Sequence, residues 1–222
     1  MAAANVGVML RRLAVLTVAG AAGLCGVVSI SAGASAPAST ALSSPVPTSV
    51  VHVRPVDSHG NKLSDYTITK QLKHARCNAG SEAIGTAYRC FAGNFVLDPC
   101  WVQQPKRFAI CLSEPWSFHV VQLKVSKGYH GALSKHGRSQ PWGVQLANGT
   151  QCGFGQGATG TVGGKRINYF CAHAKYVLIG KIDKHGKVWH ARKAKPTGGG
   201  HYKAAGRVGL TKAWFGKPSR HG

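Results

Sequence analysis

The sequence predicts an all-β or β-rich fold, a small disulfide-stabilised β-sandwich or barrel that follows an N-terminal signal helix. Apolar and polar residues alternate over short runs, and this period of two is typical of half-buried strands. No helical period of useful length follows the signal, and Asn, Gly and Pro turn signals separate the runs. Six cysteines in the same part of the chain are suited to staple such a fold: Cys77, Cys90, Cys100, Cys111, Cys152 and Cys171.

The N-terminus has the organisation of a secretion signal. Residues 1–12 end in the basic pair Arg11-Arg12, and residues 13–30 carry no charge and are rich in Ala, Val, Leu and Gly. Ala32-Gly33-Ala34 supplies the small-residue pattern read by signal peptidase, so cleavage is expected after Ala34. An uncleaved membrane anchor is the alternative, because an apolar run of about 18 residues can span a thin bilayer.

Composition then divides the remaining chain. Residues 35–49 are almost wholly Ser, Ala, Pro and Thr apart from a few aliphatic residues, so they are predicted to be a flexible linker. The chain of 222 residues leaves room for one further domain, predicted over residues 50–216. Residues 217–222 form a short basic tail, and residues 1–34 are the signal peptide.

The strand candidates begin at Val51 and continue to Phe215. Residues 66–101 are less regular than the rest, and disulfides are expected to order them. Elsewhere the runs are separated by turns such as residues 184–186. The candidates are residues 51–56, 121–125, 144–146, 151–154, 167–171, 176–182, 188–190 and 207–215.

Two of these candidates carry specific expectations. The run that ends at Leu146 leads into Asn148-Gly149, the dipeptide that best fills a type I′ hairpin turn. In the last candidate, Val208, Leu210 and Lys212 are predicted to share one face of the strand.

The six cysteines are predicted to form three disulfides. Six cysteines allow 15 pairings. Pairing sequence neighbours closes short loops that strands and turns accommodate, which favours Cys77–Cys90, Cys100–Cys111 and Cys152–Cys171. A zinc site is the competing use, but no C-x-x-C pair occurs, so no metal and no cofactor are predicted.

The chain is strongly basic. Two of its 28 Lys and Arg residues lie in the signal, which leaves 26 against 6 acidic residues, a net charge of +20. From Lys175 to the C-terminus there are twelve basic residues and one acid, Asp183. Such a surface attracts polyanions.

An anion-binding face is predicted within this basic region. Nucleic acid is disfavoured as the partner because it is scarce outside the cell, whereas an anionic cell-wall polymer or a membrane surface satisfies the same physics. The sequence identifies neither a protein partner nor an oligomeric state. The residues predicted to contact the anion are Lys181, Lys184, Lys187, Arg192, Lys193 and Lys195.

Three segments together resemble a known family. They are residues 87–100, which contain Tyr88-Arg89-Cys90-Phe91 and Asp98-Pro99-Cys100, residues 141–152, which begin Pro141-Trp142-Gly143, and residues 164–171, with a closing Ala213-Trp214-Phe215. Over residues 76–215 the chain resembles a family of actinobacterial exported proteins and extracytoplasmic domains for which no activity is established. The resemblance implies export, the cysteine framework and one domain, and it transfers no catalytic residue.

The sequence contains only weak evidence of a catalytic site. Glu82, Asp98 and Glu114 lie in the cysteine-rich region, and a glycosidase needs two carboxyl groups about 5 to 10 Å apart across a cleft. Carboxylates more often cap turns or pair with Arg, so this set is only an alternative. Residues 155–160 match G-x-G-x-x-G, but the parallel strand and following helix of a βαβ unit, which such a nucleotide loop requires, are not predicted here. His185 and His190 flank a predicted hairpin without any metal-ligand spacing.

The sequence therefore favours a secreted or envelope-associated, non-catalytic binding module whose basic face contacts anionic envelope polymers. A secreted hydrolase that uses Glu82, Asp98 or Glu114 is the second hypothesis. The third is a disulfide-stapled interaction or inhibitor domain that presents the glycine-rich residues 153–164 to another protein.

The start of the mature chain is testable. Cleavage after Ala34 leaves Ser35 as the first residue, because the small-residue motif directs signal peptidase to that bond. N-terminal sequencing of secreted material checks this expectation. A membrane-bound product that still begins at Met1 would support the anchor instead.

Overall fold

The computed structural model describes residues 46–103, 107–127, 133 and 140–217, and in these residues the regular structure is β-strand with no α-helix. Within this part of the chain no helix is long and apolar enough to cross a membrane. The predicted signal peptide, residues 35–45 of the predicted linker and residues 218–222 of the predicted tail lie outside the described residues.

The strands follow in chain order, with short loops between most of them. They are β1 (Ser49–Val53), β2 (Thr67–Gly80), β3 (Tyr88–Ala92), β4 (Phe95–Gln103), β5 (Phe108–Cys111), β6 (His119–Lys127), β7 (Gly143–Leu146), β8 (Gln151–Phe154), β9 (Thr161–Val162), β10 (Lys165–Cys171), β11 (Val177–Asp183), β12 (His190–Gly198) and β13 (His201–Gly216). The predicted all-β class is confirmed, and its form is a pair of barrels.

The first barrel is a closed meander of β2 to β6. Each strand pairs antiparallel with the next, and β2 pairs parallel with β6 to close the ring. An odd number of alternating strands can close only through one parallel pair. Its interior holds Leu97, Ala109 and Leu123 together with four cysteines.

The second sheet runs in the order β1-β13-β12-β11-β10-β8-β7, and β7 also pairs antiparallel with β13. This last pairing joins the two ends of the path from β13 to β7, so six antiparallel strands enclose a second core. Val144, Leu146, Tyr169, Leu178 and Leu210 are buried there. The two-residue strand β9 pairs with β10 outside this ring.

Strand β1 extends the second sheet. It pairs parallel with the C-terminal half of β13, from Ser49 opposite Lys212 to Val53 opposite Gly216. Thr48 already belongs to the domain. Its hydroxyl donates a hydrogen bond to the Leu210 carbonyl at 2.6 Å and accepts one from the backbone N–H of Trp189 at 2.8 Å. The ordered domain thus begins before the predicted linker end at residue 49.

The disulfides join the cysteine neighbours that the sequence favoured: Cys77–Cys90, Cys100–Cys111 and Cys152–Cys171. In each case the two cysteines lie directly opposite one another on adjacent antiparallel strands. The Sγ atoms of Cys90, Cys100 and Cys111 lie within 4.8 Å of one another because two disulfides are neighbours in the first core. Oxidised sulfur is not a thiolate ligand, so this cluster is not a metal site.

A third apolar cluster lies between the barrels. It buries Trp101, Ile110 and Leu112 of the first barrel against Trp142 and Trp214 of the second. The Trp101 and Trp142 rings are 6.2 Å apart between centroids, and those of Trp116 and Trp214 are 5.3 Å apart, which is the normal range for attractive aromatic pairs. Packing of large rings therefore fixes one barrel on the other.

Strands were missed in residues 66–101, where the sequence indicated irregular structure. Strand β2 has 14 residues, and its inward apolar positions do not keep a period of two. Register shifts interrupt its pairing with β6, and His74 has a positive φ of 60°. These irregularities place Leu72, Ala75 and Cys77 toward the core with unequal spacing, which hides the strand from a periodicity search.

Two finer expectations were wrong. The hairpin between β7 and β8 forms, but only Gly149 of its turn has a positive φ, whereas a type I′ turn needs two such residues. The Gly149 N–H donates to the Leu146 carbonyl, which gives a three-residue loop with glycine in the left-handed position. In β13 a bulge follows Leu210, so Leu210 and Ala213, not Lys212, line the core.

The seam between the barrels is testable at Gly216. A Cβ atom there would lie 2.6 Å from Ile84 Cδ1 and 2.8 Å from Cγ1, and Ile84 is buried. Gly216→Ala is therefore expected to lower the free energy of unfolding by about 1 to 3 kcal/mol through overpacking, measured by urea denaturation. Gly160→Ala is the control, because its Cβ would meet Ile167 Cδ1 at an ordinary 3.6 Å. Equal stability of the two variants would contradict the packing of this seam.

Candidate functional site

The candidate site is a basic groove on the outer surface of the second barrel. Two irregularities in strand pairing shape it, one in β11 between Ile179 and Asp183 and one in β12 between Arg192 and Ala194. Small side chains and gaps in the ladder at these positions leave depressions instead of a flat sheet. Beneath them lies an apolar patch of Val162, Ile167, Val177, Ile179 and Ala194, with Tyr202 packed against it.

Two adjoining cavities make up this groove. The first has a volume of about 570 Å³ and the second about 550 Å³. Both are lined by Lys165, Ile179, Arg192 and Arg207, so they adjoin one another. Lys181, Asp183, His185 and His190 line only the first, and Val162, Lys193, Tyr202 and Lys203 line only the second.

Asp183 is the only carboxylate in the lining of the two cavities, and it already has partners within the protein. The Arg207 guanidinium forms an ion pair with Asp183, and the backbone N–H of His185 donates a hydrogen bond to the Asp183 carboxylate at 3.1 Å. The His185 hydrogen bond foremost, and then the Arg207 charge, hold the pKa of Asp183 below its usual range, so this carboxylate stays ionised and paired. Among the described residues, Lys165, Lys181, Arg192 and Lys203 form no ion pair and are exposed.

Half of the predicted anion-binding residues lie in this groove. Lys181 and Arg192 line the first cavity and Lys193 lines the second, where its amine also lies 5.6 Å from the Tyr176 ring centre. Lys184, Lys187 and Lys195 do not line either cavity. The Lys184 amine lies over the rings of Trp189 and Phe215, at 5.6 and 5.7 Å from their centres.

Three groove cations were missed by the sequence analysis. Lys165 follows the glycines of the β9–β10 turn, and no local pattern separates it from any other turn lysine. Lys203 and Arg207 belong to the basic C-terminal region, but only the pairing of β12 with β13 places Arg207 opposite Arg192 and Lys203 opposite Lys195. His185 and His190, which flank the predicted hairpin, both line the first cavity.

Two of the three candidate catalytic carboxylates meet in an ion-pair network. Arg89 bridges them, with its Nε 3.1 Å from Asp98 and its Nη2 2.8 Å from Glu82. Asp98 is fully buried and also accepts hydrogen bonds from the Ser81 hydroxyl and from the Glu82 N–H at 2.9 Å. Burial raises the pKa of Asp98, while these hydrogen bonds and Arg89 act in the opposite direction. In this position Asp98 is shielded from any substrate.

The network extends across to the second barrel. Arg166 lies 3.3 Å from the other Glu82 oxygen and donates to the carbonyls of Gly155 and Gly157 at 3.1 and 2.8 Å. The Gln156 amide donates to the Asp98 carbonyl. The glycine-rich loop that the third hypothesis offers to a partner protein is therefore tied to the first barrel at these residues.

Glu114 lies elsewhere, in a cleft of about 510 Å³. Trp116, Phe154 and Phe170 line this cleft, and Glu114 is its only carboxylate. The cleft thus lacks the second carboxyl group that glycoside hydrolysis requires. Among the cavities described, none brings two of the three predicted carboxylates together.

Comparison of the chain with protein-family models, curated proteins and solved structures finds no match to any of them. The resemblance to actinobacterial exported domains therefore stays a prediction, and the function must be argued from the geometry alone.

The carboxylate network is expected to stabilise the fold. Asp98→Asn leaves Arg89, whose side chain is only 12 % exposed, without its buried partner. The free energy of unfolding should fall by about 1 to 3 kcal/mol, because the Asn amide nitrogen cannot accept the hydrogen bonds that one of the two Asp98 oxygens accepts. Glu82→Gln is the matched comparison, and it should cost about 1 kcal/mol or less because Glu82 is 35 % exposed and screened by water. Urea denaturation measures both, and equal losses would show that Asp98 is not the centre of the network.

Proposed function

We propose that the protein is an extracytoplasmic, non-catalytic binding module that holds anionic polymers of the cell envelope in the basic groove of its second barrel. The observation that carries this proposal is a groove of two adjoining cavities lined by Lys165, Lys181, Arg192 and Lys203, all exposed and without an ion pair among the described residues.

The groove favours a polymer over a small anion. Its cations are spread over two adjoining cavities instead of converging on one point. All four of these cations are exposed, so each contributes a modest, screened attraction to the ligand. Many such contacts along one chain add up through the release of counterions, whereas a single anionic group would engage only one or two of them.

The apolar patch beneath the groove adds a second preference, for a ligand that also has a less polar part. Val162 and Ile179 are buried in the patch beneath the second cavity, and Tyr202 is half-buried at its edge. A repeating unit that carries both an anionic group and a less polar sugar or polyol part fits this combination. Phosphate-containing or carboxylate-containing wall polymers have that chemistry.

The cellular location is consistent with such a partner. Three disulfides indicate that the domain matures in an oxidising environment. Export by the predicted N-terminal signal would deliver it to the envelope, where anionic polymers are the abundant ligands for a chain of net charge +20 after the signal.

A charge-neutralised groove tests the proposal. The variant Lys165→Gln/Lys181→Gln/Arg192→Gln/Lys203→Gln should bind sodium polyphosphate about tenfold or more weakly than the parent, with a shallower dependence of affinity on salt. Titration at several salt concentrations measures both quantities. Thermal stability should be nearly unchanged, because exposed charges contribute little to folding.

The matched control removes four exposed lysines outside the groove: Lys124, Lys175, Lys187 and Lys217, each changed to Gln. It has the same net charge as the groove variant, so general electrostatic attraction falls equally in both. If the control loses as much affinity as the groove variant, the groove is not a site and the protein attracts polyanions over its whole surface.

A further inference from the structure

The first barrel carries a second surface of different chemistry, at the tip of the β3–β4 hairpin. Gly93 and Asn94 connect these strands in a tight two-residue turn, with Ala92 paired to Phe95. Phe95 is 54 % exposed and Val96 is 45 % exposed. Two bulky apolar side chains in succession at a hairpin tip form a small exposed apolar patch, and such a patch with polar residues around it is a candidate for contact with an apolar partner.

Strand register explains why the two side chains project. Cys77, Cys90 and Leu97 form a cross-strand row that faces the core, and Phe95 belongs to the same face two residues before Leu97, at the start of β4. The row passes the end of the barrel at Phe95, which leaves its ring outside the core. Val96 lies on the outer face, in the row that also holds Phe91 and Arg76.

The tip is held rigidly. The Cys77–Cys90 disulfide joins β2 to β3 two residues before Ala92, and Leu97 packs into the core on the other side of the turn. Rigid presentation means that Phe95 and Val96 lose little conformational freedom when a partner covers them.

Cations surround the apolar tip. The Lys70 amine lies 4.2 Å from the centre of the Phe95 ring, and Lys73 and Arg76 are exposed on the same strand. Strands β2 and β3 contain no acidic residue, and Asp98, the only one in β4, is buried in its ion pair. The surface around the tip is thus apolar at its centre and positively charged at its edge.

We infer that this tip is a docking site for an anionic lipid bilayer. Phe95 and Val96 enter the interface between headgroups and acyl chains, and Lys70, Lys73 and Arg76 remain at the level of the anionic headgroups. Apolar insertion combined with basic residues at the headgroups is the usual physical basis of reversible membrane-surface binding. The site is separate from the groove, so a protein docked in this way still has the second barrel available for a polymer.

Vesicle binding tests this inference directly. The parent protein should sediment with vesicles of phosphatidylglycerol and phosphatidylcholine in equal amounts, and much less with pure phosphatidylcholine. The variant Phe95→Ser/Val96→Ser should bind the anionic vesicles about tenfold more weakly, because the apolar contribution is lost. Its affinity for soluble polyphosphate should equal that of the parent, which also shows that the variant is folded.

A matched control changes an exposed Phe and an exposed Val elsewhere. Phe118 is 62 % exposed and Val50 is 46 % exposed, and Phe118→Ser/Val50→Ser should keep full vesicle binding. The substitution Phe95→Trp locates the contact independently. Its added fluorescence should shift to the blue on anionic vesicles and be quenched by brominated acyl chains.

The outcomes separate this inference from the proposed function. Vesicle binding that survives the tip variant, or no binding of the parent to anionic vesicles, overturns membrane docking by the tip. Vesicle binding lost only in the groove variant also overturns it and assigns the lipid contact to the groove. Vesicle binding that depends on the tip supports the inference even if polyphosphate does not bind the groove.

Discussion

The structure depends on the backbone pairing of β13. Its first half pairs with β12, and its second half has β1 on one edge and β7 on the other. The pairing with β7 closes the second barrel, and Trp214 on the same segment packs into the cluster between the barrels. Strand pairing and inter-barrel packing are thus coupled through one segment of about five residues, Leu210 to Trp214, which needs a bulge to serve both.

The distribution of charge follows from the scarcity of acids. The 28 basic residues face only 6 carboxylates, and several of these have internal partners. Asp57 closes a turn through His59 and Asn61, Glu82 and Asp98 share Arg89, and Asp183 holds Arg207. A carboxylate that is paired within the fold is not available to neutralise the other basic side chains on the surface. Four of the cations that remain exposed, Lys165, Lys181, Arg192 and Lys203, lie together where strand irregularities leave room for a groove.

The two barrels present different chemistry because their irregularities differ. In the second barrel the bulges lie in the middle of β11 and β12, and they create depressions lined by long basic side chains. In the first barrel the tight β3–β4 turn carries the core-facing row past the barrel end and exposes Phe95. We propose an extended anionic polymer as the ligand of the first of these surfaces and an anionic lipid bilayer as the partner of the second.

The sequence by itself determined the all-β class, the neighbour pairing of the cysteines and most strands of the second barrel. These features are local: an alternating pattern such as residues 144–146, or two cysteines 11 to 19 residues apart in the sequence, carries its information within a short segment of the chain. The sequence also indicated basic character near the C-terminus. It did not indicate two barrels, the strands β2 to β5, most of β12, or the membership of Lys165 and Arg207 in one groove. Closure through β13 with β7, the burial of Asp98 beneath Arg89, and the juxtaposition of Lys165 with Arg192 arise only when distant strands pair, and no short-range pattern records which strands will do so.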